Sequence, residues 1–146
     1  MAFFDAKTGD LVTYWKTQAG ITALIGTTTS TRAYPELAKE EASRPMVVYS
    51  VAQGGQAPRH LSGGNAVRSS IVNVWAFDTT RAGADALAEA VRQATENYRG
   101  TMGSSYVHDC RATSPDTGAA PANDGSQVKD YWTRIVYEIW YSVTAA

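Results

Sequence analysis

Tyr131-Trp132-Thr133-Arg134-Ile135-Val136-Tyr137-Glu138-Ile139-Trp140-Tyr141-Ser142-Val143 is the stretch whose reading decides the fold. It is rich in β-branched and aromatic residues and holds no glycine or proline, which predicts one long strand. Side chains alternate across a strand, so its two faces are read separately. Tyr131, Thr133, Ile135, Tyr137, Ile139, Tyr141 and Val143 make a nearly continuous apolar face, expected to lie under helices. Trp132, Arg134, Val136, Glu138, Trp140 and Ser142 make the other. A face turned only to water would not normally carry two tryptophans and a valine. The strand predicted over Val67–Phe77 shows the same doubling, with Ile71, Trp75 and Phe77 on one side and Val72, Val74 and Ala76 on the other.

Working outward, a helix is predicted over Arg81–Tyr98. Ala84, Leu87, Ala88, Val91, Ala94, Thr95 and Tyr98 recur on one face of it, and Asp78, Thr79 and Thr80 supply cap chemistry before it. On its polar face Glu89 is placed to pair with Arg92 or Gln93, and Gly100 closes it. A first helix is expected over about Asp10–Gln18, capped by Thr8 or Asp10, with a further turn through Ile21, Leu24 and Ile25 after an interruption at Gly20. Strands are expected around Arg32–Tyr34, at Met46–Ala52 and at Tyr106–Thr113. Thr27–Thr31 reads as a polar connector, Glu36–Arg44 as a charged loop, and Gln53–Ala66 as a long hairpin connection. Ser114–Lys129, punctuated by Pro115, Gly118, Pro121 and Asn123-Asp124-Gly125, reads as a long loop with no core of its own. On that reading its replacement by a Gly-rich turn would leave the fold intact. The order α, β, β, β, α, β, β implies an α+β fold: one mostly antiparallel β-sheet, two α-helices on one face and a long β-hairpin loop. The 146 residues fit a single domain, residues 1–146.

With a net charge of −1, no overall field draws the chain to nucleic acid or an anionic membrane. The single cysteine, Cys110, allows neither an intrachain disulfide nor a Cys-based zinc site, and fits assembly in a reducing cytoplasm. No signal peptide and no membrane-crossing run is expected. His60 and His108 are the only histidines, too few for a His-based metal site. In His108-Asp109-Cys110 a strand would turn His108 and Cys110 one way and Asp109 the other, so the three do not converge. Gly54-Gly55 and Gly63-Gly64 lack the Lys-Ser/Thr of a phosphate loop, and no Gly-x-Ser-x-Gly elbow occurs. We expect no catalytic centre, no cofactor and no metal. Arg59, His60 and Arg68 form a basic cluster around one loop, facing either DNA in a pore or, as we favour, an acidic neighbouring subunit.

A sheet with two apolar faces and only two helices to cover them points to assembly. The candidate subunit or partner interface is Arg59, His60, Leu61, Arg68, Trp132, Val136 and Trp140. The opposing reading is that loops or the N-terminal segment fold back over the second face.

Several features, in order, resemble the small tail-completion or tail-terminator proteins of long-tailed bacteriophages. They are a first helix ending in Ile21-Thr22-Ala23-Leu24-Ile25-Gly26, a short strand entering Tyr34-Pro35, and Arg44-Pro45-Met46-Val47-Val48-Tyr49. Leu61-Ser62-Gly63 then precedes a strand ending Val72-Asn73-Val74-Trp75-Ala76, followed by the Ala-rich Thr80–Val91 helix and the aromatic closing strand. The order and spacing carry the resemblance across nearly the whole chain; Ser114–Lys129 departs from it by its length. It implies a virion protein of the tail or neck, assembled in the host cytoplasm. It further implies a homo-oligomeric ring, commonly of six subunits, that ends the tail tube and presents it to the head connector. The implied partners are tail-tube protein and a neck protein, with DNA passing through without sequence-specific binding and no membrane involved. The family has no catalytic residues to carry over. The long loops are candidate contact segments that order on assembly. Another neck adaptor, or a cytoplasmic dimeric module holding a small ligand, are the competing readings.

Overall fold

A computed structural model describes residues 10–26, 32–35, 44–56, 68–102, 105–121 and 128–143. The long final strand, β7 (Val128–Val143), lies inside a seven-stranded sheet. On one side it pairs antiparallel with β3 (Arg68–Asp78), which pairs antiparallel with β2 (Met46–Gln56). The edge strand β1 (Ala33–Pro35) runs parallel to β2. On its other side β7 pairs with β5 (Ser105–Ala112) along one half and with β6 (Asp116–Pro121) along the other. β5 and β6 therefore act as one long antiparallel partner, broken only at residues 113–115. The short β4 (Gly100–Met102) pairs with the start of β5.

The alternation read from the sequence is the alternation of burial. Ile135, Tyr137, Ile139 and Tyr141 of β7 are buried with Val72, Val74 and Ala76 of β3. Helix α3 (Arg81–Thr95) covers this face with Ala84, Leu87, Ala88, Val91 and Thr95. The Thr80 hydroxyl caps it by accepting from the Gly83 N–H at 3.0 Å. Helices α1 (Asp10–Trp15) and α2 (Ala19–Ile25) add Leu11, Tyr14, Trp15, Ile21 and Ile25 to the same core. Two hydrogen bonds fix α1 against the end of α3. Trp15 Nε1 donates to the Thr95 hydroxyl at 3.0 Å, and the Tyr14 hydroxyl donates to the Ala94 carbonyl. Burial pushes the Tyr14 hydroxyl up to about 12, so it remains a donor.

Several boundaries differ from the sequence reading, each for a local reason. The first helical segment breaks at Lys16–Gln18 and not at Gly20, which lies inside α2. The Thr17 hydroxyl donates to the Tyr14 carbonyl at 2.6 Å and closes the first helix early. Helix α3 stops at Thr95 because Asn97 takes φ 63° and its N–H turns to the Cys110 carbonyl at 2.7 Å. Gly100 then belongs to a strand the sequence did not announce. β2 runs on to Gln56, past register shifts between Val51 and Gln56. The expected loop over Ser114–Lys129 contains β6, and β7 begins at Val128. The segment's Ala, Gly and Pro content gives no strand signal; pairing with β7 supplies the order. The connector at 27–31, the charged loop at 36–43 and the hairpin connection at 57–67 lie outside the described residues.

The structure thus reverses the expectation that Ser114–Lys129 is expendable. Replacing residues 114–127 by a Gly-rich turn removes six cross-strand pairs with β7. The expected loss is on the order of 3 kcal/mol, measured as a lowered midpoint in urea unfolding; an unchanged midpoint would show that β6 contributes nothing.

Candidate assembly interface

Pairing registers arrange the second face of β7 into rows that cross the sheet. One row runs Met46, Phe77, Trp132, Gly118 over four strands. The adjacent row runs Tyr34, Val48, Trp75, Arg134, Asp116 over five. Further along β7, Val136 lies opposite Asn73, and Trp140 opposite Ser69. Trp75, Phe77, Trp132, Val136 and Trp140 are half-buried, while Met46 and Val48 are buried. Among the described residues no helix covers this face, because α1, α2 and α3 all pack into the core on the other side.

Glycine shapes one end of the face. A Cβ on Gly118 would stand 2.2 Å from the Trp132 ring, so the indole rests against bare backbone. The charges on the face are paired. Arg134 grips Asp116 through two contacts of 3.0 Å, and Trp140 Nε1 donates to Glu138 at 2.7 Å. Beyond the end of β3, Arg44 and Asp130 make a fork-to-fork pair at 2.8 and 2.9 Å, with side chains only 11% and 8% exposed. Such a pair is costly to break singly because the remaining charge is left buried. At the opposite end Tyr106 is 41% exposed; its ring meets His108 edge-on at 5.1 Å, and His108 Nε2 lies 3.0 Å from the Ser142 hydroxyl.

Arg81, at the first turn of α3, ties the helix to the β6–β7 hairpin. Its guanidinium donates to the carbonyls of Gly118 (3.2 Å) and Trp132 (2.9 Å), to the Thr133 hydroxyl, and to Asp85 (3.0 Å). The Thr133 hydroxyl donates to Asp85 at 2.7 Å. This bond, and then Arg81, hold the Asp85 carboxyl below its usual range.

The expected interface residues divide. Trp132, Val136 and Trp140 share one face, as the alternation requires. Arg59, His60 and Leu61 lie outside the described residues, and Arg68 opens β3 opposite Tyr141. Tyr34, Met46, Val48 and Gly118 join the face without having been singled out; strand alternation assigns them a side, but only cross-strand register assigns neighbours. His108-Asp109-Cys110 diverges, though not as expected. A bulge between Val107 and Asp109 inserts a residue, so His108 is exposed while Cys110 is buried on the core side. Burial pushes the Cys110 thiol up to about 12, with the Asp109 charge adding to it, and leaves it unreactive. Among the described residues no helix is long and apolar enough to cross a membrane.

Fold and face together define an α+β module with a half-buried, tryptophan-bearing sheet face. The family of tail completion protein gp17 is the one whose model matches, over residues 9–138, and the chain belongs to it. It is therefore a structural protein of the bacteriophage tail. A solved structure, the virion of a native gene transfer agent (GTA) particle, contains a chain of the same fold. That chain matches at a TM-score of 0.57 and 18% identity, over 94% of this chain and 98% of the other. No curated protein matches.

Gly118→Val forces the Trp132 ring off its seat and is expected to cost about 1–3 kcal/mol, read from denaturant melts; a neutral result would mean the indole has other room. Acid is expected to loosen the α3–hairpin tie. The Asp85 carboxyl is depressed in the fold, so its contribution is full above the unfolded carboxylate range and is lost as pH falls through the folded value. Asp85→Asn should narrow its stability gap from wild type as the pH drops; a gap independent of pH contradicts this tie.

Proposed function

We infer that the chain assembles into a ring, of six subunits, that caps the head-proximal end of the tail tube and joins the tail to the neck. Family membership supplies the setting, a tail component acting at completion. The observation that carries the reading is the second face of the sheet, where Trp75, Phe77, Trp132, Val136 and Trp140 are half-buried by their own chain. Protein interfaces concentrate aromatic residues in a desolvated centre with paired polar groups around it. The Arg134–Asp116 and Trp140–Glu138 pairs fit that pattern, because each charge on the face already has a partner. Tail-tube protein on one axial surface and a neck protein on the other are the partners, and DNA passes through the ring without sequence-specific contact. Assembly takes place in the host cytoplasm. Closed rings need two different patches that meet head to tail, so the apolar face of one subunit need not meet the same face of the next.

Trp140→Arg is the direct test. The ring, followed by light scattering and negative-stain images of the purified chain and of tails assembled with it, is expected to be lost. Thermal stability should change by less than about 1 kcal/mol. Outright unfolding would make Trp140 a core residue, and an intact ring would take the face out of the interface.

A further inference from the structure

Among the described residues one large hydrophobic side chain is exposed: Tyr106, near the start of β5. It lies in register with Ser142 on β7 and with Thr101 on the edge strand β4. Ser142 is two residues from Trp140 on the same side of β7, so Tyr106 carries the tryptophan-bearing face on to the edge of the sheet. The His108 ring braces it, and His108 Nε2 is itself anchored 3.0 Å from the Ser142 hydroxyl. A ring already held in one orientation loses little side-chain entropy when a partner buries it. Tyrosine is among the residues that anchor protein interfaces, and it does so by filling a pocket on the partner.

The opposite side of the sheet holds such a pocket. A groove of about 300 Å³ runs between α3 and the β6–β7 hairpin. Buried Ala88, Thr133 and Ile135 form its floor, and exposed Pro115 and Thr117 form the wall on the hairpin side. On the helix side Asp85 is already held by Arg81 and Thr133, and Glu89 by Arg92. The groove therefore offers apolar contact and no unpaired charge, which suits an uncharged ring and not a cation. We propose that Tyr106 of one subunit inserts into the groove between α3 and the β6–β7 hairpin of the next.

Reach decides that knob and groove come from different molecules. Tyr106 is in register with Ser142 and Thr117 with Thr133, which lie nine residues apart on β7. At ~3.3 Å per residue that is about 30 Å, and the two lie on opposite sides of the sheet. No tyrosine side chain spans that distance within its own chain. A second copy is the occupant because every chain carries both halves of the contact. The exposed ring at one end of the sheet and the groove at the other are unlike patches, and a contact of that kind repeats head to tail and closes a ring on rotation. The inference rests on the ring reading and names the surfaces that join.

Cross-linking within assembled tails tests it with Tyr106 left in place. Thr101 sits beside Tyr106 in register and Thr117 lines the groove; both are exposed, and Cys110 is buried away from the reagent. Chains carrying Thr101→Cys are mixed with chains carrying Thr117→Cys, built into tails and treated with a short bifunctional maleimide. The mixed dimer is expected to exceed both symmetric dimers by about ten-fold, and the doubly substituted chain should give a ladder of covalent multimers. Statistical proportions, symmetric dimers alone, or no dimer overturn the proposal. Substitution of the ring gives a second reading. Tyr106→Ala should weaken incorporation into tails by about ten-fold or more with its melting temperature unchanged, and Tyr106→Phe should incorporate normally. Incorporation of Tyr106→Ala at the wild-type level, or an equal loss in Tyr106→Phe, overturns the insertion. The mass of wild-type assemblies separates this from the ring reading. A six-fold ring without the mixed dimer rejects the contact alone, and the mixed dimer in an assembly that does not close rejects the ring alone.

Discussion

β7 carries apolar side chains on both faces and sits between β3 on one side and β5 with β6 on the other. That position removes any freedom to slide. A shift of one residue would bring Trp132, Arg134 and Glu138 under α3 and expel Tyr137 and Ile139. The helices hold this register from one side: Leu87, Ala88 and Val91 meet Val74, Ile135 and Tyr137, and the Trp15–Thr95 bond fixes the first helix across the end of α3. Arg81 then fastens the start of α3 to the β6–β7 hairpin through two carbonyls and the Thr133 hydroxyl. The sheet's second face is thereby fixed in register, with Trp75, Phe77, Trp132, Val136 and Trp140 half-buried.

Much of this was legible in the sequence because it depends on alternation and periodicity. The two faces of β7 and β3, the apolar stripe of α3, its Thr80 cap and the Glu89–Arg92 pair all follow from spacing alone. What spacing could not reveal depends on partners distant in the chain. β6 is a strand because β7 lies beside it, and its Gly118 leaves room for an indole. The Arg44–Asp130 pair joins residues far apart in sequence. The bulge after Val107 changes which way His108 points, and nothing in His-Asp-Cys announces an inserted residue. The candidate interface divides along the same line: Trp132, Val136 and Trp140 follow from alternation, whereas the cross-sheet rows that give them neighbours need the register.

The two ends of the sheet differ in chemistry as well as position. Arg44 and Asp130 close one end with a nearly buried ion pair, while at the other His108 and the exposed Tyr106 ring stand beside Ser142. The sheet therefore presents unlike chemistry at its two ends.

Cover over the tryptophan-bearing face in the assembled particle is the central requirement of the proposed ring. Hydroxyl-radical footprinting of the free chain and of the same chain within tails measures that cover residue by residue. Strong protection of Trp75 and Trp140 on assembly, with the already buried Trp15 unchanged, is the result predicted. Equal labelling of Trp75 and Trp140 in the free and assembled states would contradict it.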